Sequence, residues 1–400
     1  MKAFEGELAM ISREEAYAIV MESVRRLDSE RVDLEEALGR ILAEDVRSDM
    51  NMPPFDKSAM DGYACRRSDL TEPLTVVEVI RAGFPPNRVI GVNQCAQIMT
   101  GARIPEGADC VIKVEDTAPV GPDRIRFTGK STRKNICPEA ELMKVDEVVL
   151  RQGCRLSAQH IALLATVGKT RPLAARRPRV GIIATGDELI EPDQTPGPSQ
   201  IRTSNSAQLK AQATQTGAIA KYYGIAPDEE DEIDARFKQA MAENDVVILS
   251  GGVSMGDFDL VPDVMQRNGI TIHFDSIAIK PGKPTIFGTA PNLWVLGLPG
   301  NPVSTFVQFE LLVKPLLYKM MGHDYRPLVG LFPLTEDITR RVSDRELWLP
   351  VIINDDRTIR PCRYHGSADI RGICEASGLV VLPIGTDTLS AGSLTTVYLI

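Results

Sequence analysis

Residues 245–284 read DVVILSGGVSMGDFDLVPDVMQRNGITIHFDSIAIKPGKP, in which an apolar run, a glycine turn, two aspartates and two lysines follow one another. That succession has the makings of a phosphate site. The run 246–249 is expected as a buried strand, after which Ser250, Gly251 and Gly252 let the backbone turn with its N–H groups free to face an anion. Asp257 and Asp259 suit a hard cation, and Lys280 and Lys283 bracket a Pro-Gly turn as two point charges for phosphate or another oxyanion.

Two further segments have the same character: IIATGDELIEP at 182–192 and LPGNPVS at 298–304. In the first, Thr185 and Gly186 leave a predicted strand, while Asp187 and Glu188 are free to bind a metal or to accept hydrogen bonds from ligand hydroxyls. In the second, Asn301 and Ser304 stand near the start of a helix with Pro302 in its first turn, where N–H donors and the helix dipole favour anions. Any one of these turns alone is equally a tight connection before a helix. All three lie on one predicted domain at the carboxyl ends of strands, and each carries a polar or charged group that capping does not require. Elsewhere, Asp61 and Thr100 stand beside glycines in PPFDKSAMDGYA (53–64) and MTGARIPEGADCVIKVED (99–116), as turn formers or as reactive groups held on loops. The four histidines have no ligand spacing, and neither a G-x-S-x-G elbow nor a Walker lysine occurs.

These residues need a scaffold, and the hydrophobic pattern outlines one. From 178 to 326 strand and helix signals alternate, which predicts a doubly wound α/β domain ending in a long helix after Pro302. Upstream, 47–144 is a β-rich module inserted between helical segments, 1–46 and 145–177, that together form a connector. Ser12 with Glu15 makes a capping box for a helix over 13–28; Asp33 with Glu36 repeats it for a short helix into Ala43; Ser157 begins a third, stopped by Gly168. Beyond 327 only strand and turn signals appear, so 327–400 is expected to be all-β and without helix.

With 54 acidic against 45 basic residues the chain carries a net charge of -9, which disfavours a general nucleic-acid binder and favours small ligands. The first residues carry two glutamates and no run of eighteen apolar residues occurs, so neither signal peptide nor membrane anchor is expected. Seven cysteines, odd in number and never as C-x-x-C, fit a reduced cytoplasmic chain.

Taken together, SAMDGYA, TGARIPEGAD, TGDEL, SGGVSMGDFD, KPGKP and LPGNPVS resemble, in order and spacing over nearly the whole chain, the MoeA family of molybdopterin molybdenumtransferases, which includes the E domain of gephyrin. The resemblance implies a multidomain α/β and β fold: a helical connector, an inserted β module, a doubly wound molybdopterin-binding domain and a C-terminal β-barrel, assembled as a homodimer. It implies insertion of molybdate into adenylylated molybdopterin, with Mg²⁺-dependent cleavage of the pyrophosphate link and release of AMP. By this resemblance Asp61, Thr100, Glu188 and Asp259 are catalytic, and Asp257, Asp259 and Glu188 hold Mg²⁺. Substrate binding falls to Thr185, Gly186, Asp187, Ser204, Asn205, Ser250, Gly251, Gly252, Ser254, Gly256, Lys280, Pro281, Gly282, Lys283, Pro299, Gly300, Asn301, Pro302 and Ser304, and molybdate to Arg345 and Ser367. A molybdopterin adenylyltransferase and molybdoenzyme chaperones are further implied partners.

The chain departs from the family pattern in two places. Cys137, Ala140 and Leu142 stand where the family has an arginine, a glycine and an aspartate, and Pro350 stands where a second arginine is common. The missing carboxylate leaves open a weakened paralogue that binds the pterin as a scaffold. A tungstate-inserting homologue, an adenylyltransferase or a nucleotide pyrophosphatase are the other readings, the last two being disfavoured because a lone α/β domain would suffice for them.

Overall fold

The computed structural model describes residues 9–253 and 260–400. The chain divides into two compact units, one of Met1–Arg31, Gly39–Ala43 and Leu173–Ile400, the other of Val32–Leu38 and Glu44–Pro172. The two connector segments are thereby shared out: the helix Arg13–Ser23 belongs to the first unit and Ala158–Thr166 to the second. Among the described residues no helix is long and apolar enough to cross a membrane.

The first unit is organised by a six-stranded sheet in the order Ile219–Ala226, Arg179–Thr185, Val246–Ser250, Leu293–Leu298, Pro284–Ala290, Thr271–Ser276. The first four strands are parallel, Pro284–Ala290 runs against them, and Thr271–Ser276 pairs antiparallel with Pro284–Ala290. A strand covered on both faces must be apolar throughout, and Val246, Val247, Ile248 and Leu249 are all 0% exposed. Val246 and Ile248 pack with Leu209, Ala213, Val303 and Val307 of the helices Asn205–Gln215 and Pro302–Gln308. Val247 and Leu249 face the other way, onto Ile233 and Phe237 of Glu230–Glu243 and Val261 and Val264 of Val261–Arg267. Each such side chain contributes about 1.5–3 kcal/mol by leaving water.

The helix Pro302–Gln308 runs through a π-helical turn, Phe309–Val313, into Lys314–Met320. Pro315 accounts for the wide turn, since it has no N–H to donate and its ring would collide with the carbonyl of Leu311 in a regular α-helix. The C-terminal half-barrel is a sheet in the order Ile279–Lys280, Glu346–Ile353, Gly378–Leu382, Leu394–Leu399, Val329–Pro333. Its first strand is lent by the α/β domain: Ile279 pairs with Glu346 and Lys280 with Leu347.

The second unit carries its own six-stranded sheet, Cys110–Lys113, Gly62–Cys65, Gln94–Ile98, Leu74–Ile80, Arg124–Phe127, Thr117–Pro119. Gly62 is obligatory there, because a Cβ would lie 1.9 Å from the carbonyl oxygen of Ile112 on the neighbouring strand.

Three expectations need correction. The helix expected over 33–43 is a single 3₁₀ turn, Leu34–Glu36; Gly39 takes φ +77° and Leu42 bridges to Ala174 in extended form instead. The first helix ends at Ser23 rather than 28, because Val24 is already extended with ψ 132°. The C-terminal region does contain a one-turn helix, Ile370–Cys374, held by Asp369, whose carboxylate accepts the N–H of Gly372.

Candidate active site

The three turns converge. Thr185, Gly186 and Glu188, then Gly251 and Gly252, then Pro299, Gly300 and Asn301 line one cleft of about 370 Å³ at the carboxyl ends of the parallel strands. The first unit alone supplies every residue of this lining. Its floor is backbone. Gly251 takes φ +105° and Gly252 φ +61°, and a Cβ on Gly251 would stand 2.4 Å from the carbonyl oxygen of Thr185. The Gly251 N–H donates to Leu298 O at 3.0 Å, which ties the second turn to the strand leading into the third.

Thr185 is 2% exposed, and its hydroxyl has no hydrogen-bond partner among the described residues. A buried hydroxyl left so costs roughly 1–3 kcal/mol, and lining a cleft it is ready for a ligand atom. The carboxylate of Glu188 folds back over Gly186, where φ is +145° and a Cβ would meet Oε2 at 2.5 Å. Asp187 is exposed and accepts the Asp228 N–H on Oδ1 at 3.0 Å. Asn301 precedes the helix Pro302–Gln308 without using its side chain as a cap, Pro302 is in the first turn, and Ser304 is buried. Ser204 precedes the helix Asn205–Gln215, while Asn205 is turned inward onto Ser250 and Gly300.

The lysine turn stands next to the cleft, because Pro284, which follows Lys283, is one of the lining residues. Lys280 and Lys283 are exposed and have no ion-pair partner among the described residues. Pro281 and Gly282 between them are buried, with Gly282 at φ +107°. Arg345 precedes the residue paired with Ile279 and reaches Asp344 with Nε at 3.6 Å. Ser367 accepts the Val303 N–H on its backbone oxygen at 3.0 Å, so it sits against the first turn of the helix Pro302–Gln308. Both molybdate candidates are thus brought to the elements that carry the cleft and the lysines.

Ser254, Gly256, Asp257 and Asp259 lie outside the described residues. Among the described residues no group of three or more His, Cys, Asp or Glu is placed to hold a metal ion. Glu188 and Asp228 nevertheless both line the cleft, and Mg²⁺ is commonly held by one or two carboxylates together with phosphate oxygens and water. The residues present fit that cation. Asp228, Val253 and Pro284 are lining residues that sequence reasoning missed. The signal for Asp228 was its place just past the strand Ile219–Ala226, but no glycine marks that turn.

Asp61 and Thr100 lie in the second unit and meet one another. Asp61 Oδ1 accepts the Thr100 N–H at 2.7 Å and its hydroxyl at 2.8 Å. The backbone bond, then the hydroxyl, hold the Asp61 carboxyl below its usual range. In the departing segment, Cys137 Sγ lies 2.5 Å from Glu141 Oε2, a bond that pushes the thiol up. Ala140 takes φ +60°, and Leu142 is 64% exposed.

Family models match in three consecutive stretches: the MoeA N-terminal region (domain I and II) over residues 11–168, a probable molybdopterin binding domain over 181–319, and the MoeA C-terminal region (domain IV) over 333–400. A molybdopterin molybdenumtransferase of Staphylococcus epidermidis is 34% identical over 97% of this chain and 95% of its own length. One from Haemophilus influenzae is 40% identical over 74% of this chain and 73% of its own. A molybdopterin biosynthesis MoeA protein from Pyrococcus horikoshii OT3, of known structure, aligns with a TM-score of 0.85 at 29% identity, covering 98% of this chain and 100% of that one.

Proposed function

Since the chain belongs to the MoeA family and acts in molybdenum cofactor biosynthesis as a molybdopterin molybdenumtransferase, we propose that its substrate is adenylylated molybdopterin, into which it inserts molybdate while the pyrophosphate link is cleaved and AMP released. The observation that carries this reading is the glycine-floored cleft with, in its wall, the Thr185 hydroxyl that has no partner among the described residues. In it the Gly252 N–H and the Thr185 hydroxyl bind phosphate oxygens, the Gly251 N–H being spent on Leu298 O, and the Asn301 carboxamide at the start of its helix adds a polar contact. Lys280 and Lys283, with Arg345 and Ser367, receive molybdate beside it. Mg²⁺ held by Glu188 and Asp228, with Asp257 and Asp259 as further ligands, would neutralise charge on the anhydride as it breaks.

Asp61 and Thr100 in this reading orient substrate or water from the partner subunit of a homodimer working in the cytoplasm. Their geometry supports a fixed carboxylate rather than a proton donor, because the Thr100 N–H favours the charged form.

A second reading, a pterin-binding scaffold of low turnover, rests on Leu142, where an exposed aliphatic side chain replaces the family's acid. Purified protein is incubated with adenylylated molybdopterin, Mg²⁺ and molybdate, and AMP is followed. Molybdate-dependent AMP release supports the transferase reading; tight pterin binding without AMP release overturns it in favour of the scaffold.

A further inference from the structure

Two buried amides behind the cleft have their donors committed to loops. Asn205, 8% exposed, opens the helix Asn205–Gln215. Its Nδ2 donates to Ser250 Oγ at 2.8 Å and to Gly300 O at 2.8 Å, with Thr305 Oγ1 at 3.4 Å. One carboxamide thus spans the end of the central strand and the third turn, which lie side by side: a Cβ on Gly300 would be in ordinary contact, 3.8 Å, with the Gly251 Cα. Gln308, 0% exposed, does the equivalent for the lysine turn: its Nε2 donates to Gly282 O at 2.8 Å, an oxygen that also accepts the Thr285 hydroxyl at 2.9 Å. Asn205 Oδ1 and Gln308 Oε1 both have no partner among the described residues. In each amide the donor end alone is bonded, and among the described residues the acceptor is left orphaned.

We infer that Asn205 and Gln308 are positioning residues with separate duties: Asn205 fixes the gap between the Gly251 and Gly300 turns, and Gln308 fixes the turn that carries Lys280 and Lys283. This rests on the transferase reading above and reassigns Asn205, since both of its N–H groups are spent on protein rather than on substrate. An aspartate in its place would keep the shape, lose both donors and set a carboxylate against the Gly300 carbonyl. A methionine at 308 would keep the bulk and release Gly282.

The two duties predict a crossover that general destabilisation would not give. In steady-state AMP release, Asn205→Asp raises KM for adenylylated molybdopterin about tenfold, the worth of one or two buried hydrogen bonds, and leaves KM for molybdate within twofold. Gln308→Met does the reverse. Parallel changes of both constants in both variants, or no change in either, overturn the proposal. Ser250→Ala, which removes one acceptor of Asn205 with little loss of volume, takes the place of Asn205→Asp if that variant does not fold, and is expected to move the pterin constant by a smaller factor. Amide hydrogen exchange on the free proteins separates a failure of this inference from a failure of the transferase reading. Asn205→Asp is expected to speed exchange at the Gly251 and Gly300 turns and not at Gly282, and Gln308→Met the opposite, whether or not the wild type turns over. Uniform or absent acceleration overturns the assignment.

Discussion

Asp61 and Thr100 are 39 positions apart in sequence, yet one carboxylate oxygen of Asp61 takes both the N–H and the hydroxyl of Thr100, at 2.7 and 2.8 Å. A carboxylate that accepts two such bonds is fixed in direction and is charged over a wider pH range than a free one. The lowered value belongs to an exposed group, so its consequence lies in titration rather than in stability. As pH falls, the native charge persists through the ordinary value of 3.8 and is lost only below it. Replacing the hydroxyl by Thr100→Ala removes the lesser of the two bonds. The Asp61 titration, followed by NMR, is expected to move partway back up towards 3.8, and the acid limb of kcat/KM to move up with it. An acid limb that stays in place would show that the Asp61 charge is not needed for turnover.

Lys280 and Lys283 are exposed and unpaired among the described residues, so the hold on an oxyanion proposed for them is largely coulombic. Lys280→Ala and Lys283→Ala are each expected to weaken molybdate binding by about 1 kcal/mol, roughly fivefold in affinity. The loss should shrink as salt rises, because exposed charges are screened over a Debye length of about 8 Å at physiological ionic strength. Calorimetric titration with molybdate at low and high salt measures both effects. Equal losses at the two ionic strengths would mean that the lysines act through packing.

Ala140 takes φ +60°, a conformation that an L-residue with a Cβ adopts at a cost of roughly 1–2 kcal/mol. A glycine removes that strain but adds freedom to the unfolded chain, worth about 0.4–1 kcal/mol in the other direction. Ala140→Gly is therefore expected to stabilise the second unit by up to about 1.6 kcal/mol, visible as a higher urea midpoint at unchanged slope. A lower midpoint would show that Ala140 holds its turn through side-chain contacts.

Much of the cleft was legible because its chemistry is local. A glycine with positive φ next to an apolar strand announces itself, and so Gly186, Gly251 and Gly252 were found from their neighbours in sequence. Asp228 was not, because what brings it to the cleft is the parallel pairing of Arg179–Thr185 with Ile219–Ala226, a contact between segments that share no motif. The duties of Asn205 and Gln308 were hidden for a related reason. A buried amide in a helix has no periodic signature, and its partners, Gly300 and Gly282, lie 95 and 26 positions away. In the fold, helix starts were read well from Ser12 and Ser157, whereas Asp33 misled. The same capping pattern precedes Gly39, whose left-handed turn outweighs it.

Because Ile279–Lys280 is a guest strand in the C-terminal sheet, hydrogen-bonded alongside Glu346–Ile353, the lysine turn has one foot in each of two domains. Their evolutionary independence is limited accordingly. A chimera that took its C-terminal domain from a distant relative would inherit a foreign bed for Lys280 along with it, and the lysine turn would shift without any change in the lysines themselves. Grafts of that kind are expected to tolerate replacement of the sheet's far edge, at Val329–Pro333, much better than replacement of the strand that receives the guest.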